Sequence, residues 1–293
     1  MNSNGTKNRK MIAAGIGIAV AAAVIWIAAS QSSKTGVVSE ETTTAQTEET
    51  TAETTQAALQ EDLPVSETEA KLLSGLYQAL CYNDYVDAAQ LLNENEEAFA
   101  ALTEETLDGK KYCYWEEKQE DGQILRVMEE LAEDGEMEGL VLGRYNTAFC
   151  GEFSDGQPNG TVCAIQTIIL DEPRYTYAEG TWRNGVMNGE GKTGYHYYIN
   201  APESGFIRTE KSGTYANNLL NGDFVYMTES GGGEILSWNM KAENGVTVLD
   251  DAWVHYPFRK EYMLTSVESE DRAYVLSEDR AQEIMWDNLI TWD

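Results

Sequence analysis

Apolar positions change their spacing several times along the chain. From Met11 to Ser30 they run almost unbroken, MIAAGIGIAVAAAVIWIAAS, with no charge. At about 1.5 Å per residue, a helical run of that length crosses roughly 30 Å of hydrocarbon. From Thr35 to Ala70 apolar residues thin out among Thr, Glu, Gln, Ser and Ala, with no Lys or Arg and a single proline, Pro64. From Ser66 to Leu107 they return at helical spacing: Leu72, Leu73, Leu76 and Leu80, then, past a break at Asn83-Asp84, Ala88, Ala89, Leu91 and Leu92, then Phe99, Ala101 and Leu102. Beyond residue 109 short aromatic-bearing stretches alternate with Asn/Asp-Gly pairs, the pattern of strands joined by tight turns. A last helix is predicted to start at Ser277, which is followed by Glu278 and Asp279; Ile284, Met285, Leu289 and Ile290 share one face, and Trp286 and Trp292 add bulk.

These shifts predict an α+β chain. Residues 1–10 form a basic cytoplasmic tail, 11–30 a transmembrane helix or signal anchor, and 31–65 a disordered Thr/Glu-rich linker. Residues 66–108 form a small helical module, 109–265 an antiparallel β-meander of repeated hairpins, and 266–293 a C-terminal segment whose helix is expected to cover an exposed sheet edge. The phrase LYQALCYNDYVDAAQLL resembles one helix-turn-helix of a tetratricopeptide-like repeat. A single such unit needs a neighbour, so it is read as a packing cap for the β-region, with a peptide groove as the alternative.

Lys7, Arg9 and Lys10 precede the apolar run, and only Lys34 follows it before the acidic stretch. The excess of positive charge on that side places the amino terminus in the cytoplasm. Ala28, Ala29 and Ser30 would also suit a cleavable signal peptide. Both readings export residues 31–293, giving a single-pass cell-membrane protein with an extracytoplasmic C-terminal domain or its cleaved counterpart.

A ten-residue phrase recurs in the second half. It reads GEFSDGQPNG from Gly151 to Gly160, GTWRNGVMNG from Gly180 to Gly189, and GTYANNLLNG from Gly213 to Gly222. Asp155-Gly156, Asn184-Gly185 and Asn217-Asn218 have the chemistry of a tight turn requiring positive φ. Phe153, Trp182 and Tyr215 each supply a large apolar surface to a half-buried strand just before the turn. Each phrase is therefore predicted to be one hairpin, with its aromatics stacked along one face of a continuing sheet. Tyr112 to Val127, with Trp115 and Asp121-Gly122, and Glu234 to Leu249, with Trp238 and Asn244-Gly245, read as degenerate outer copies.

On these residues the segment from about 145 to 250 resembles the MORN repeat family, which implies hairpins in a curved meander and a role in recognition or scaffolding. An aromatic usually stands two residues before the first glycine of that family's units; Phe149 fits, whereas Ala178 and Lys211 depart. The closing Gly-x-Gly is complete only at Gly189 and Gly191, with Val162 and Phe224 in place of the second glycine elsewhere. Aromatic-rich choline-binding repeats are a more distant comparison, because the paired Trp of their repeat edges is missing.

Composition narrows the function. With 50 acidic and 20 basic residues the formal charge is −30, which opposes attraction to nucleic acid or anionic headgroups. His196 and His255 stand in no recognised catalytic phrase, Gly231-Gly232-Gly233 lacks a phosphate-loop Lys, and Asp155 and Asp250-Asp251 are too isolated for a calcium loop. Cys81, Cys113, Cys150 and Cys163 lack zinc spacing, though Cys150 and Cys163 flank the first hairpin and could form a disulfide. No metal, cofactor or enzymatic activity is expected. Phe153, Trp182, Tyr215 and Trp238 are the candidate binding aromatics. The expected partners are the membrane, through the N-terminal helix, and an envelope protein or cell-wall component. The alternatives are a carbohydrate-binding protein that stacks sugars on exposed rings and a cell-envelope hydrolase. Ring exposure discriminates between scaffold and sugar platform.

Overall fold

The structure is a computed structural model that describes residues 59–60, 63–168, 173–198, 206–249, 254–256, 261–267, 273–285 and 290–292. All lie in the compact unit Thr54–Asp293. The predicted tail and membrane helix, and most of the predicted linker, lie outside the described residues. Among the described residues no helix is long and apolar enough to cross a membrane.

The helical module comprises α1 (Glu67–Cys81), α2 (Tyr85–Glu94), α3 (Glu96–Ala101) and a π-helical turn at Leu102–Thr106. Ser66 starts α1 through a reciprocal cap: its Oγ accepts from Glu69 N at 3.3 Å, and its own N donates to Glu69 Oε2 at 2.7 Å. Asn83, at φ +56°, reverses the chain, and Asp84 caps α2 by accepting from Asp87 N at 3.2 Å. The described residues also include 59–60 and 63–65, at the end of the predicted linker. Leu59–Gln60 forms β1, which pairs parallel with the strand Ile124–Glu130, and Val65 is buried. Leu63 and Val65 bring apolar surface that the upstream stretch lacks, which gives this end of the linker something to pack.

The rest is one antiparallel sheet apart from β1. After β2 (Tyr112–Lys118), β3 (Ile124–Glu130) and β4 (Glu136–Leu142) it continues through β5 (Thr147–Ser154), β6 (Gln157–Ile168), β7 (Arg174–Arg183) and β8 (Val186–Tyr197). It goes on with β9 (Phe206–Ala216), β10 (Leu219–Ser230), β11 (Ile235–Glu243) and the short β12 (Val246–Thr247). From β4 to β11 each strand pairs with the next, a simple meander, whereas β2 lies between β3 and β4. The last strands, β13 (Val254–Tyr256), β14 (Glu261–Ser266) and β15 (Ala273–Ser277), join through β14, which pairs with β11.

The turns joining β5–β6, β7–β8, β9–β10 and β11–β12 hold positive φ at both central residues: Asp155 and Gly156, Asn184 and Gly185, Asn217 and Asn218, Asn244 and Gly245. That is the hairpin turn whose twist matches the flanking strands. Each of the three clear phrases also carries a register shift, between Gly151 and Phe153, Gly180 and Trp182, and Leu220 and Phe224. Such bulges strengthen the local twist and curve the meander.

Alternation along the strands divides two cores between the two faces. On one face Phe149, Phe153, Trp182, Tyr215, Phe224 and Trp238 join a buried cluster with Ala281, Ile284 and Ile290 of the C-terminal segment. On the other, α1, α2 and α3 lay Leu73, Leu76, Leu80, Ala89 and Phe99 over Tyr114, Leu140, Cys150, Cys163, Ile165 and Tyr177. The helical module thus covers one face of the first strands of the array.

The terminal helix, α4 (Glu278–Glu283), begins at the predicted cap, Ser277, whose Oγ accepts from Arg280 N at 3.2 Å. It follows a further strand, β15, and it covers the aromatic face, not an edge as anticipated from the sequence. The physical reason is area: a row of large rings offers far more apolar surface than one strand border. Lys211 fastens it there. This residue, 3% exposed, takes the place of a repeat aromatic on β9 and donates from Nζ to Ile284 O at 2.9 Å, while Thr247 Oγ1 donates to Ala281 O at 2.8 Å. Lys211→Met, which keeps the stem but removes the donor, is expected to destabilise the protein by roughly 1–3 kcal/mol. Amide exchange at residues 278–285 should accelerate selectively, and unchanged exchange there would refute the fastening role.

Candidate binding groove

The four aromatics singled out from sequence are interior residues. Phe153 is 2% exposed, Trp182 1%, Tyr215 3% and Trp238 5%. Their faces contact neighbouring strands and the C-terminal segment, so they do not form an open stacking row. Trp182 Nε1 donates to Val162 O at 3.0 Å, and Tyr215 Oη donates to Lys211 O at 3.1 Å, so the polar ends are satisfied internally as well. Repetition forces this outcome: an aromatic at each unit's inward position is what the next unit packs on.

The surface offered to solvent is elsewhere. A groove of about 840 Å³ opens between α3 with its π-helical turn, the β4–β5 connection and the C-terminal residues. Phe99, Thr103 and Glu104 line the helical wall, Arg144, Tyr145 and Asn146 the loop wall, and Lys110, Lys111 and Trp292 the floor and rim. Tyr145 and Asn146 both adopt left-handed backbone conformations, at φ +56° and +53°, and Tyr145 is 80% exposed. A ring turned that far into water beside a concavity is the kind of group interfaces use as an anchor.

Trp292 links the groove to the core. Its ring meets Phe149 edge-on at 4.9 Å and Phe153 at 5.7 Å, while Lys111 Nζ lies 3.8 Å above it. Lys110 pairs with Glu130 at 2.9 Å, and that hydrogen bond raises its ammonium above the ordinary lysine value. Three cations, Lys110, Lys111 and Arg144, therefore share one concavity of a chain whose formal charge is −30, with Glu96 and Glu104 on the helical side. Sequence inspection missed this groove because its walls are separated by up to about two hundred positions, and none of its residues belongs to a motif.

A second polar assembly lies at the seam between α2 and the sheet. Tyr85 stacks on Tyr177 at 5.0 Å and donates to Glu179 at 2.7 Å, and Lys192 pairs with Glu179 at 3.0 Å. Tyr177 donates to Glu210, which Arg208 approaches at 3.4 Å while reaching Glu229 at 3.8 Å. His196 Nδ1 is 3.1 Å from Tyr175 Oη, and burial followed by the Arg208 charge lowers its imidazole below the usual value. Burial, followed by the adjoining Glu210 carboxylate, holds the Tyr177 phenol protonated far above its normal range. Tyr85 crosses the seam and ties α2 to β7, while the other named groups join strands β7 to β10 to one another.

Among the described residues no group of three His, Cys, Asp or Glu side chains is placed to hold a metal. Gly231–Gly233 forms the β10–β11 turn, where Gly233 N donates to Ser230 O at 2.9 Å. Cys150 and Cys163 are direct cross-strand partners, and both thiols are free in this structure.

The geometry of the hairpins coincides with the comparison to known families. The MORN repeat model matches residues 149–161 and 179–195, the β5–β6 hairpin and the stretch from β7 through most of β8. No curated protein matches the chain. MORN repeats are non-catalytic binding or scaffold modules. In these two stretches, each carrying a bulge and a hairpin turn with positive φ at both central residues, the chain is similar to the MORN repeat.

Proposed function

We propose that the chain is a membrane-tethered, extracytoplasmic binding module, without enzymatic activity of its own, that holds an envelope protein in the groove between its helical cap and its repeat sheet. The observation that carries this reading is the division of aromatic surface: the repeat rings are interior, while Tyr145 stands out beside a groove containing Lys110, Lys111 and Arg144. A protein partner with an exposed acidic segment complements that groove. The uncharged run Met11–Ser30 behind Lys7, Arg9 and Lys10 supports the tether, and the Thr/Glu-rich stretch after it supports a spacer.

The test uses the full chain in membranes with Arg144→Glu combined with Tyr145→Ala, both exposed positions. Saturable binding of one envelope protein is expected to weaken at least about tenfold, in line with loss of an interface anchor, at an unchanged melting temperature. Saturable binding of purified cell-wall polysaccharide, with no protein retained, would overturn the proposal in favour of a wall-binding module.

A further inference from the structure

Two buried thiols face each other across the β5–β6 hairpin. Cys150 on β5 and Cys163 on β6 are direct cross-strand partners, within an unbroken register that runs from Thr147↔Gln166 to Gly151↔Val162. Directly opposed residues of an antiparallel pair have Cα atoms about 4.5–5.5 Å apart, within the range a disulfide spans. Opposed side chains share a face of the sheet, and both cysteines belong to the core formed there with Leu76, Leu80, Ala89 and Ile165. They are 7% and 8% exposed, with α1 against β5 and α2 against β6. Of the other two cysteines, Cys113 pairs with Val141 in the core of the opposite face, and Cys81 is the exposed last residue of α1.

We propose that Cys150 and Cys163 form a cross-strand disulfide site, oxidised by a small-molecule disulfide and shielded by the helical module until its helices lift from the sheet. One cysteine, as the thiolate, attacks a sulfur of the oxidant, breaking its S–S bond, forming a mixed disulfide and releasing one thiolate. The opposed cysteine then attacks the protein sulfur of that mixed disulfide and displaces the second thiolate. The S–S bond between Cys150 and Cys163 is thereby formed. The cysteine pair gives up two electrons and two protons, and the oxidant leaves as two thiols.

Position accounts for both the pairing and the shielding. A slip of one residue would turn the two thiols to opposite faces, so the link forms only in the native register and then fixes it. That register also holds the loop before β5. Gln166 Nε2 donates to Tyr145 O at 3.3 Å and to Thr147 Oγ1 at 3.1 Å, and Thr167 N donates to Asn146 O at 3.2 Å. A link between strands at Cys150↔Cys163, close to Thr147↔Gln166, therefore restrains the loop wall of the groove as well. Shielding follows from burial, because an oxidant must reach a sulfur that lies beneath the helices. Tyr85 holds α2 down by donating to Glu179 at 2.7 Å and stacking on Tyr177 at 5.0 Å, so its truncation should open the site.

The experiment treats the full chain with oxidised glutathione, once folded and once during refolding from urea, quenches with iodoacetamide at intervals, and maps peptides without reduction. Cys150–Cys163 is expected as the main internal link in both, forming at least about tenfold more slowly in the folded chain. Tyr85→Ala should speed the folded reaction. The linked chain should melt roughly 5–10 °C above the reduced one, reversibly on reduction, and its Thr167 amide should exchange more slowly. Cys150→Ser and Cys163→Ser should each abolish both the link and the rise in melting temperature. Internal links mainly to Cys81 or Cys113, a refolded chain in which Cys150 and Cys163 both remain as thiols, equal rates in the folded and refolding chains, or no acceleration in Tyr85→Ala would overturn the proposal.

Discussion

Trp182→Ala is expected to destabilise the protein by roughly 3–5 kcal/mol, the range for truncating a large buried ring. The side chain is 1% exposed, meets Phe149 edge-on at 6.0 Å, and donates from Nε1 to Val162 O at 3.0 Å. That hydrogen bond crosses from one repeat to the strand of the preceding one, since β7 pairs with β6 through Trp182↔Gly160 and Gly180↔Val162. Truncation thus opens a cavity at the junction between units and removes an anchor shared by both. Trp182→Phe retains most of the volume and should cost about 1–3 kcal/mol, the cost of the unmade hydrogen bond and the smaller ring. Urea midpoints measure both. A Trp182→Ala midpoint near wild type would mean that this ring is not the core element that its burial indicates.

The other large effect concerns backbone approach. Gly180 adopts φ +151°, and a Cβ there would lie 2.4 Å from Glu190 O and 2.5 Å from Gly191 Cα. Gly180→Ala therefore combines backbone strain with forced separation of β7 and β8, together about 4 kcal/mol or more. Gly222 separates the two causes. Its φ is +118°, but a Cβ would meet nothing within 4 Å, so Gly222→Ala should cost only the strain, roughly 1–2 kcal/mol. Comparable midpoints for the two variants would show that close approach of strands contributes little at the bulge.

Much of the β-meander is legible in the sequence because its signals are local. Asn184-Gly185 and Asp155-Gly156 fix a turn through the conformational freedom of those residues alone, and an aromatic before each turn marks an inward strand position. The capping box at Ser66 and Glu69 and the cap at Ser277 are likewise readable within four residues. The departures from the repeat pattern carried information of another kind. Ala178 and Lys211, which replace the aromatic seen at Phe149, both lie buried on the same face as it, and Lys211 reaches the terminal helix. No rule of repeat composition could have given the lysine that partner, because Ile284 lies 73 positions away.

The candidate groove was less accessible to reading. Phe99, Lys111, Tyr145 and Trp292 come from four distant segments, and none is marked by spacing or by a motif. The sequence drew attention instead to the repeat aromatics, which are conspicuous as residues and interior as structure. The pairing of Cys150 with Cys163 depends on the register that the β5–β6 turn imposes.

The sequence by itself determined the hairpins, their turns, the helical module and the start of the last helix, because each depends on conformational preferences and periodicities spanning a few residues. Only the tertiary structure decided which face the terminal helix covers, that the repeat rings are buried, that β2 inserts between β3 and β4, and that a cation-bearing groove lies beside Tyr145. Those outcomes depend on which apolar surfaces find each other across long stretches of chain, and pairing at that range is set by the shape and area of assembled faces.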